Sequence, residues 1–556
     1  MQRLKTLSWV LSLGLMLPIA HFAATPTEKK PNIIVMLVDD MGFSDIGCYG
    51  SEIPTPNIDR LAAGGVKFTQ FYNTARCCPT RAALLTGLYS HQAGVGWMTT
   101  DFGPDYPGFR GRLLGDRITI AEALKPAGYF TAMTGKWHLS QEPRPPAVRF
   151  DRSLQAMAGG FYYPSATGKA APRLVLNGQK IQPNAPELPK DWYSTDLWTE
   201  FGLRFIDEAV AEKKPFFLYL AHNAPHFPLQ ADPEDIARFR GNYKTGWDAL
   251  SAARHKKQVE LGLIDKAWQK AARPVDVKSW ETLSESEKDH FDHLMAIYAA
   301  CVWRIDRSVG TLVEGLKKRG LFDNTLILFM SDNGGNAEGG PQGTARGPGA
   351  LGSANSTVFC GESWAWMQNT PFRKFKHYNH EGGIATPLIA HWPKGIEASG
   401  EWRQEPGHLI DIMPTCLDVA GAKYPAEWAG KPLLPLEGTS LVPAFAGKPI
   451  QRAQPVFWEH EVNAAVREGD WKIARLGYGA DWELYNLKAD RTEQHDLAKS
   501  HPGKVKLLAA KWDAWAERAN VKPWPEGIGY PRKPEKQLAP KKKKGPARKS
   551  SAASNP

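Results

Sequence analysis

Three carboxylates and an amide oxygen stand in two adjacent pairs, Asp39-Asp40 and Asp332-Asn333. All four are hard oxygen ligands, suited to calcium or magnesium and poorly suited to zinc. Taken singly, each pair also reads as local structure, with Asp40 capping a helix and Asp332-Asn333-Gly334-Gly335 making a turn. Neighbouring carboxylates repel unless a cation or proton offsets them, and the two pairs together favour the metal reading. Other reactive groups lie in short polar stretches: Cys77-Cys78, Lys136 and His138 in Thr134-Gly135-Lys136-Trp137-His138, and His226 in Ala224-Pro225-His226-Phe227-Pro228-Leu229. Singly these are a vicinal thiol pair, a surface charge and loop histidines; their joint placement is what carries information.

The elements that must position them are apolar runs rich in β-branched residues, separated by segments of helical spacing. That alternation describes a parallel sheet covered by helices. Asn32–Val38 ends at Asp39-Asp40, residues 129–133 end at Thr134 to His138, Phe216–Ala221 ends near His222 and His226, and residues 325–330 end at Ser331-Asp332-Asn333-Gly334-Gly335. Ligands of open α/β sheets gather beyond the carboxyl ends of strands, so these residues are expected at one sheet edge. Residues 232–318 are charged and helix-forming, with a helical apolar period over 284–315. After about Ala446 the runs shorten to 455–458, 464–467, 471–475 and 482–487, an antiparallel sheet, with 503–518 an amphipathic helix against it. The predicted class is α/β: a large mixed, mostly parallel sheet flanked by helices, plus a smaller C-terminal antiparallel sheet with one helix.

The stretch Cys77-Cys78-Pro79-Thr80-Arg81, followed by Thr86-Gly87, has the form C-x-P-x-R. It resembles the signature of the type I sulfatases, arylsulfatase-like members of the alkaline phosphatase superfamily whose first signature cysteine is oxidised to formylglycine (3-oxoalanine). Val38-Asp39-Asp40-Met41-Gly42 and Gly47-Cys48-Tyr49-Gly50 resemble that family's amino-terminal block, and His380-Glu381-Gly382-Gly383-Ile384-Ala385-Thr386-Pro387 its later Glu-Gly-Gly block. The resemblance spans residues 31–518. Threonine at 80 rather than serine, and cysteine at 78, are departures that leave the modification signal legible.

The resemblance implies formylglycine at 77, with Arg81 ordering it and the metal site, and Asp39, Asp40, Asp332 and Asn333 holding Ca2+, with Mg2+ the alternative. It implies that Lys136 binds a sulfate oxygen, that His138 lies beside the formylglycine hydroxyls, and that His226 and Lys376 contact the sulfate and the leaving oxygen. One aldehyde-hydrate hydroxyl would attack sulfur, and the second would expel sulfate and restore the aldehyde, a step an ordinary Ser or Cys nucleophile cannot perform. The implied partners are a sulfated carbohydrate or aryl sulfate substrate and a formylglycine-generating or equivalent maturation enzyme. A phosphate or phosphonate monoesterase would use similar geometry, and a sugar-binding protein would keep Cys77 as a thiol. The histidine and aspartate ligands of two-zinc phosphatases are missing from the pattern.

With 556 residues, 42% hydrophobic content and 20 tryptophans, the chain is globular and large enough for one big core and a smaller domain. The expected division is a signal peptide over 1–24, a catalytic domain over 31–446, an α+β subdomain over 447–525 and a basic disordered tail over 526–556. Arg3 and Lys5, an apolar run from about Trp9 to Ala20, then Ala23-Ala24 follow the order of a secretory signal, which predicts a periplasmic or secreted protein; a retained anchor is the alternative. The net charge of +11 suggests nucleic acid, yet Arg532 to Pro556 holds nine basic residues and one acidic, which with Arg3 and Lys5 leaves about +1 for the body. No nucleic-acid partner is expected, and no later apolar run is long enough to span a membrane. Six cysteines at irregular spacing do not make a disulfide framework, although one bridge among Cys48, Cys301, Cys360 and Cys416 is open.

Overall fold

Every residue of the strand Asn32–Val38 is buried, because the sheet it belongs to is covered on both faces. Ile34, Met36 and Val38 enter one apolar core, and Ile33, Val35 and Leu37 enter another, as the two-residue period of a strand requires. The computed structural model describes residues 29–167, 171–397, 399–477 and 479–524. The expected signal peptide and basic tail lie outside the described residues.

The main sheet has eleven strands among the described residues. Four consecutive neighbours in it are Thr325–Ser331, Asn32–Val38, Phe216–Ala221 and Phe130–Lys136, all parallel, so their carboxyl ends share one edge. Ala385–His391 runs antiparallel between Val66–Tyr72 and Thr325–Ser331, which makes the sheet mixed. The strand expected over 129–133 instead spans Phe130–Lys136. The Thr-Gly-Lys stretch expected to follow the strand is instead its last part, paired on both sides, with Ala221 and Gln155 flanking Gly135. A Cβ on Gly135, whose φ is +106°, would lie 1.9 Å from the Ala221 carbonyl oxygen, so only glycine lets the strands stay this close.

Helices Ser194–Ala211 and Glu285–Lys318 pack on one face, and Cys77–Thr86, Ile120–Leu124 and Ile412–Val419 on the other. The long helix starts at a capping box: Ser284 Oγ accepts from the Glu287 N–H at 3.3 Å, and Glu287 Oε2 accepts from the Ser284 N–H at 2.8 Å. The C-terminal strands Val456–His460, Asn463–Glu468, Trp471–Arg475 and Glu483–Asn486 pair in order and antiparallel. Helix Pro502–Arg518 covers them, with Trp515 stacked on Phe457 at 5.1 Å. Glu381 ties this sheet to the body, accepting from Lys472 Nζ at 2.9 Å and Arg491 Nε at 2.8 Å. All six cysteines are free thiols, so none of the bridges left open by the sequence forms. Among the described residues no helix is long and apolar enough to cross a membrane.

Candidate active site

Because Val38 and Ser331 are register partners, the residues following each strand emerge side by side. The Asp332 N–H donates to the Val38 carbonyl at 3.0 Å, and the Asp40 N–H donates to Asp332 Oδ1 at 3.1 Å. Asn333 Nδ2 donates to Asp40 Oδ1 at 2.7 Å. Asp39, Asp332 and Asn333 are wholly buried and Asp40 nearly so. Asp39 Oδ1 and Asn333 Oδ1 are buried without any hydrogen-bond partner. Two orphaned oxygens beside two further carboxylates fit a hard cation, since buried acceptors are otherwise satisfied.

Cationic side chains surround this group. Lys136, the last residue of its strand, bonds Asp39 Oδ2, and Lys376 Nζ lies 2.6 and 2.8 Å from the two Asp40 oxygens. Arg81 Nη2 lies 3.1 Å from Asp332 Oδ2 and 3.5 Å from Asp39 Oδ2, while Nη1 donates to the Lys136 carbonyl at 2.7 Å. Burial raises the Asp39 carboxyl, but Lys136, His226 and Arg81 outweigh it and leave it below the usual range. The Asp40 carboxyl is likewise pushed down, with His226 and Lys376 overcoming burial. For Asp332 the balance reverses: burial, then the charge of Asp39, hold its carboxyl well above the usual range despite Arg81. Carboxylates buried this close together, with two oxygens still unpartnered, suit a bound cation.

Cys77 begins the helix Cys77–Thr86 and is 1% exposed. Thr80 Oγ1 donates to the Asp332 carbonyl at 2.7 Å and fixes this helix against the carboxylate group. The donor atoms of Cys77, Cys78 and His138 lie within 4.8 Å of one another. A hydrogen bond from Cys78, then His138 and Lys136, overcome burial and hold the Cys77 thiol well below its ordinary value, whereas burial raises Cys78. A helix start with adjacent positive groups favours a negative charge at residue 77 and an anion before it.

Residues 31–422 match the family model described as Sulfatase, about two thirds of the chain, and residues 372–510 match that of N-sulphoglucosamine sulphohydrolase, C-terminal. The chain belongs to the sulfatase family. It is 36% identical to an uncharacterized sulfatase of Schizosaccharomyces pombe over 89% of this chain and 95% of that one. It is 34% identical to the arylsulfatase of Klebsiella aerogenes over 76% and 94% of the two chains. The crystal structure of Ps i-CgsB in complex with k-i-k-neocarrahexaose superposes with a TM-score of 0.65 at 30% identity, covering 88% of this chain and 93% of that one. The chain is accordingly a sulfatase enzyme.

The fold brings together all ten residues that the resemblance implies for the site. His226 lies with Nε2 3.5 Å from Asp40 Oδ2, and Asp39, Asp40 and His226 form one cluster. Burial lowers the His226 and His138 rings, opposed at His226 by Asp40 and at His138 by Cys77. The Glu-Gly-Gly block positions Lys376: a Cβ on Gly382 would lie 2.1 Å from the Lys374 carbonyl oxygen, and one on Gly383 1.9 Å from that of Tyr378. His222, Asn223 and His380 have structural partners instead, with Asn223 between Trp198 and Phe161, and His380 Nε2 2.7 Å from Glu483. Sequence reasoning missed Asn336, whose Nδ2 donates to Asp40 Oδ2 at 2.6 Å, and Tyr219, whose hydroxyl lies 3.4 Å from Arg81 Nη1. Asn336 follows the Asp-Asn-Gly-Gly turn by one residue, which was the only available signal.

Proposed function

We propose that this sulfatase hydrolyses sulfate esters through a formylglycine formed from Cys77, with one calcium ion, or magnesium in its place, held by Asp39, Asp40, Asp332 and Asn333. The observation that carries the reading is the first cysteine of C-x-P-x-R buried at a helix start beside His138 and next to two orphaned hard oxygens. When present, the hydrated aldehyde supplies a hydroxyl nucleophile and a second hydroxyl for sulfate release, and the cation supplies positive charge for the sulfuryl oxygens. Arg81 keeps Asp39 and Asp332 together; losing one partner of such a buried group costs about 3–5 kcal/mol. Lys136 and Lys376 present ammonium groups to the nonbridging oxygens, charge that needs no reorganisation during the reaction. His138, kept neutral by burial, accepts a proton beside residue 77. His226 donates one to the departing oxygen; burial lowers its ring, and the neighbouring Asp40 carboxylate opposes that loss.

Burial of Cys77 requires the maturation enzyme to meet the signature before the chain closes over it. The leader pattern supports export to the periplasm or beyond. Candidate substrates are sulfated carbohydrates and aryl sulfates, the classes suggested by the names of the Klebsiella arylsulfatase and the neocarrahexaose complex. The test is peptide mass across residue 77 together with sulfate release. An aldehyde or its hydrate is expected at 77, and Cys77→Ala should fold normally yet lose on the order of 10⁴-fold or more in turnover. A fully active enzyme carrying an unmodified thiol would sink the proposal.

A further inference from the structure

Beside the sulfate-binding groups lies a second polar constellation that the reaction does not use. Arg76 directly precedes Cys77 and extends its guanidinium against the His377 ring, with Nη1 3.0 Å from Nδ1. The same Nη1 lies 3.5 Å from Glu338 Oε1, and His377 Nε2 is also 3.5 Å from that oxygen. On the other side, Glu461 Oε2 is 2.8 Å from His377 Nδ1, and Glu461 Oε1 accepts from Trp97 Nε1 at 3.1 Å. His377 follows Lys376, and Glu338 lines a cavity together with Asp40, Phe227 and Asn336. The group therefore abuts the reacting centre on the side of residue 77.

Several features set this constellation apart from an ordinary ion-pair network. Arg76 Nε and both ring nitrogens of the wholly buried His460 have no hydrogen-bond partner, and the nearest carboxylate oxygen to His460, Glu461 Oε1, is 3.5 Å from Nε2. Unmet donors and acceptors this close to an active site are groups for a ligand to satisfy. Glu461 and Val462 form the turn between two C-terminal strands with φ of +48° and +65°, and His377 has φ of +85°. Left-handed backbone at a β-branched and two bulky residues costs energy and persists where the surroundings impose it, most often at functional sites. Side-chain exposure grades from 0% at His460 through 14% at Arg76 to 30% at Glu338, so the group opens outward from a closed end.

We infer that Arg76, Glu338, His377 and Glu461 form a leaving-group subsite that recognises the hydroxyl groups of a sugar ring carrying the sulfate ester. Carboxylates beside a guanidinium and an imidazole offer acceptors and donors a few ångströms apart, which is what adjacent ring hydroxyls present in return. A planar aryl group has no such hydroxyls. A cation at His377, His460 and Glu461 is disfavoured because the Arg76 guanidinium already lies against the His377 ring. The inference rests on the sulfatase reading and narrows its substrate class to sulfated sugars.

The experiment compares kcat and KM of the matured wild type, Glu338→Gln and Glu461→Gln on a sugar sulfate, the same sugar lacking the hydroxyl next to the ester, and an aryl sulfate. Wild-type sulfate release from the aryl substrate tests the parent reading, and its absence from every substrate would sink that reading rather than this one. On the sugar sulfate each variant should raise KM by about 10-fold or more, the usual effect of losing a charged hydrogen bond. The loss in kcat/KM should be at least tenfold greater there than on the aryl substrate, and the deoxy sugar should show little difference between wild type and variants. Equal losses on sugar and aryl sulfates would overturn the inference, as would wild-type activity on aryl sulfates alone. Bound zinc in the purified wild type that disappears in His460→Ala would also overturn it, assigning the cluster to a metal instead.

Discussion

A histidine helps a departing oxygen only as much as that oxygen needs a proton, so the chemistry of the leaving group can separate the roles open to His226. Its Nε2 lies 3.5 Å from Asp40, and its ring is buried beside the carboxylate group. General acid help is worth roughly 10² to 10⁴-fold, and it is largest for poor leaving groups such as a sugar alkoxide. His226→Ala should therefore damage hydrolysis of sugar or alkyl sulfates far more than that of an activated aryl sulfate, under conditions where chemistry limits both rates. Equal losses measured in kcat would assign the ring to sulfate binding alone. At this scale the sequence was highly informative, because Asp39, Cys77, Lys136, His226 and Asp332 sit in short motifs or at strand ends. It was silent on Arg76, Glu338, Asn336 and Glu461. Partners such as Glu338 for Arg76 and Asp40 for Asn336 lie hundreds of positions away, and no local pattern marks such a meeting.

Elements place these side chains through close backbone contacts as much as through hydrogen bonds. Gly382 and Gly383 let the short helix Glu381–Ile384 lie directly against the 373–378 segment that carries Lys376. A methyl group on Gly383 would sit 1.9 Å from the Tyr378 carbonyl oxygen, a backbone atom with no freedom to swing aside. Gly383→Ala must displace that segment, and overpacking of this kind costs about 1–3 kcal/mol. The expected outcome is a lower melting temperature together with a fall in kcat of tenfold or more, since Lys376 and His377 move with the segment. A variant with wild-type kcat and melting temperature would show that the close approach is not needed. The glycines were legible as a family motif, but their role depends on an approach between segments that only the fold reveals. The strand Phe130–Lys136 teaches the same lesson, because its polar Thr-Gly-Lys end lies beyond the apolar run and joins the strand only through pairing on both sides.

Across the whole molecule, burial of neutral histidines ties stability to pH. His222, His391 and His408 occupy distant parts of the fold, and burial lowers their rings to about 3, about 4 and about 3 from an ordinary value of 6.5. His408 fits the neutral form directly, since its Nδ1 accepts from the Ile410 N–H at 3.2 Å. A ring with a depressed folded-state value contributes stability that is fully present above 6.5. As pH falls below 6.5 the unfolded chain takes up the proton first, so stability declines until the folded ring titrates as well. Each such ring gives a slope of about 1.4 kcal/mol per pH unit inside that window. The ion-paired Glu381 and Glu483 act lower: each is lowered to about 2, burial being overcome by Lys472 and Arg491 for one and by His380 and Arg373 for the other. Their contribution is intact above the ordinary value of 4.5 and drains away only below it. Between pH 6.5 and 4.5 the histidines therefore dominate, and the melting temperature should fall steadily across that interval. His391 is the cleanest probe, being 5% exposed and far from the site, with its ring against Phe322. His391→Gln should flatten the slope by up to about 1.4 kcal/mol per pH unit while leaving the melting temperature near pH 7.5 little changed, readable by scanning calorimetry at half-unit pH steps. An unchanged slope in that variant would mean that His391 is protonated in the folded state.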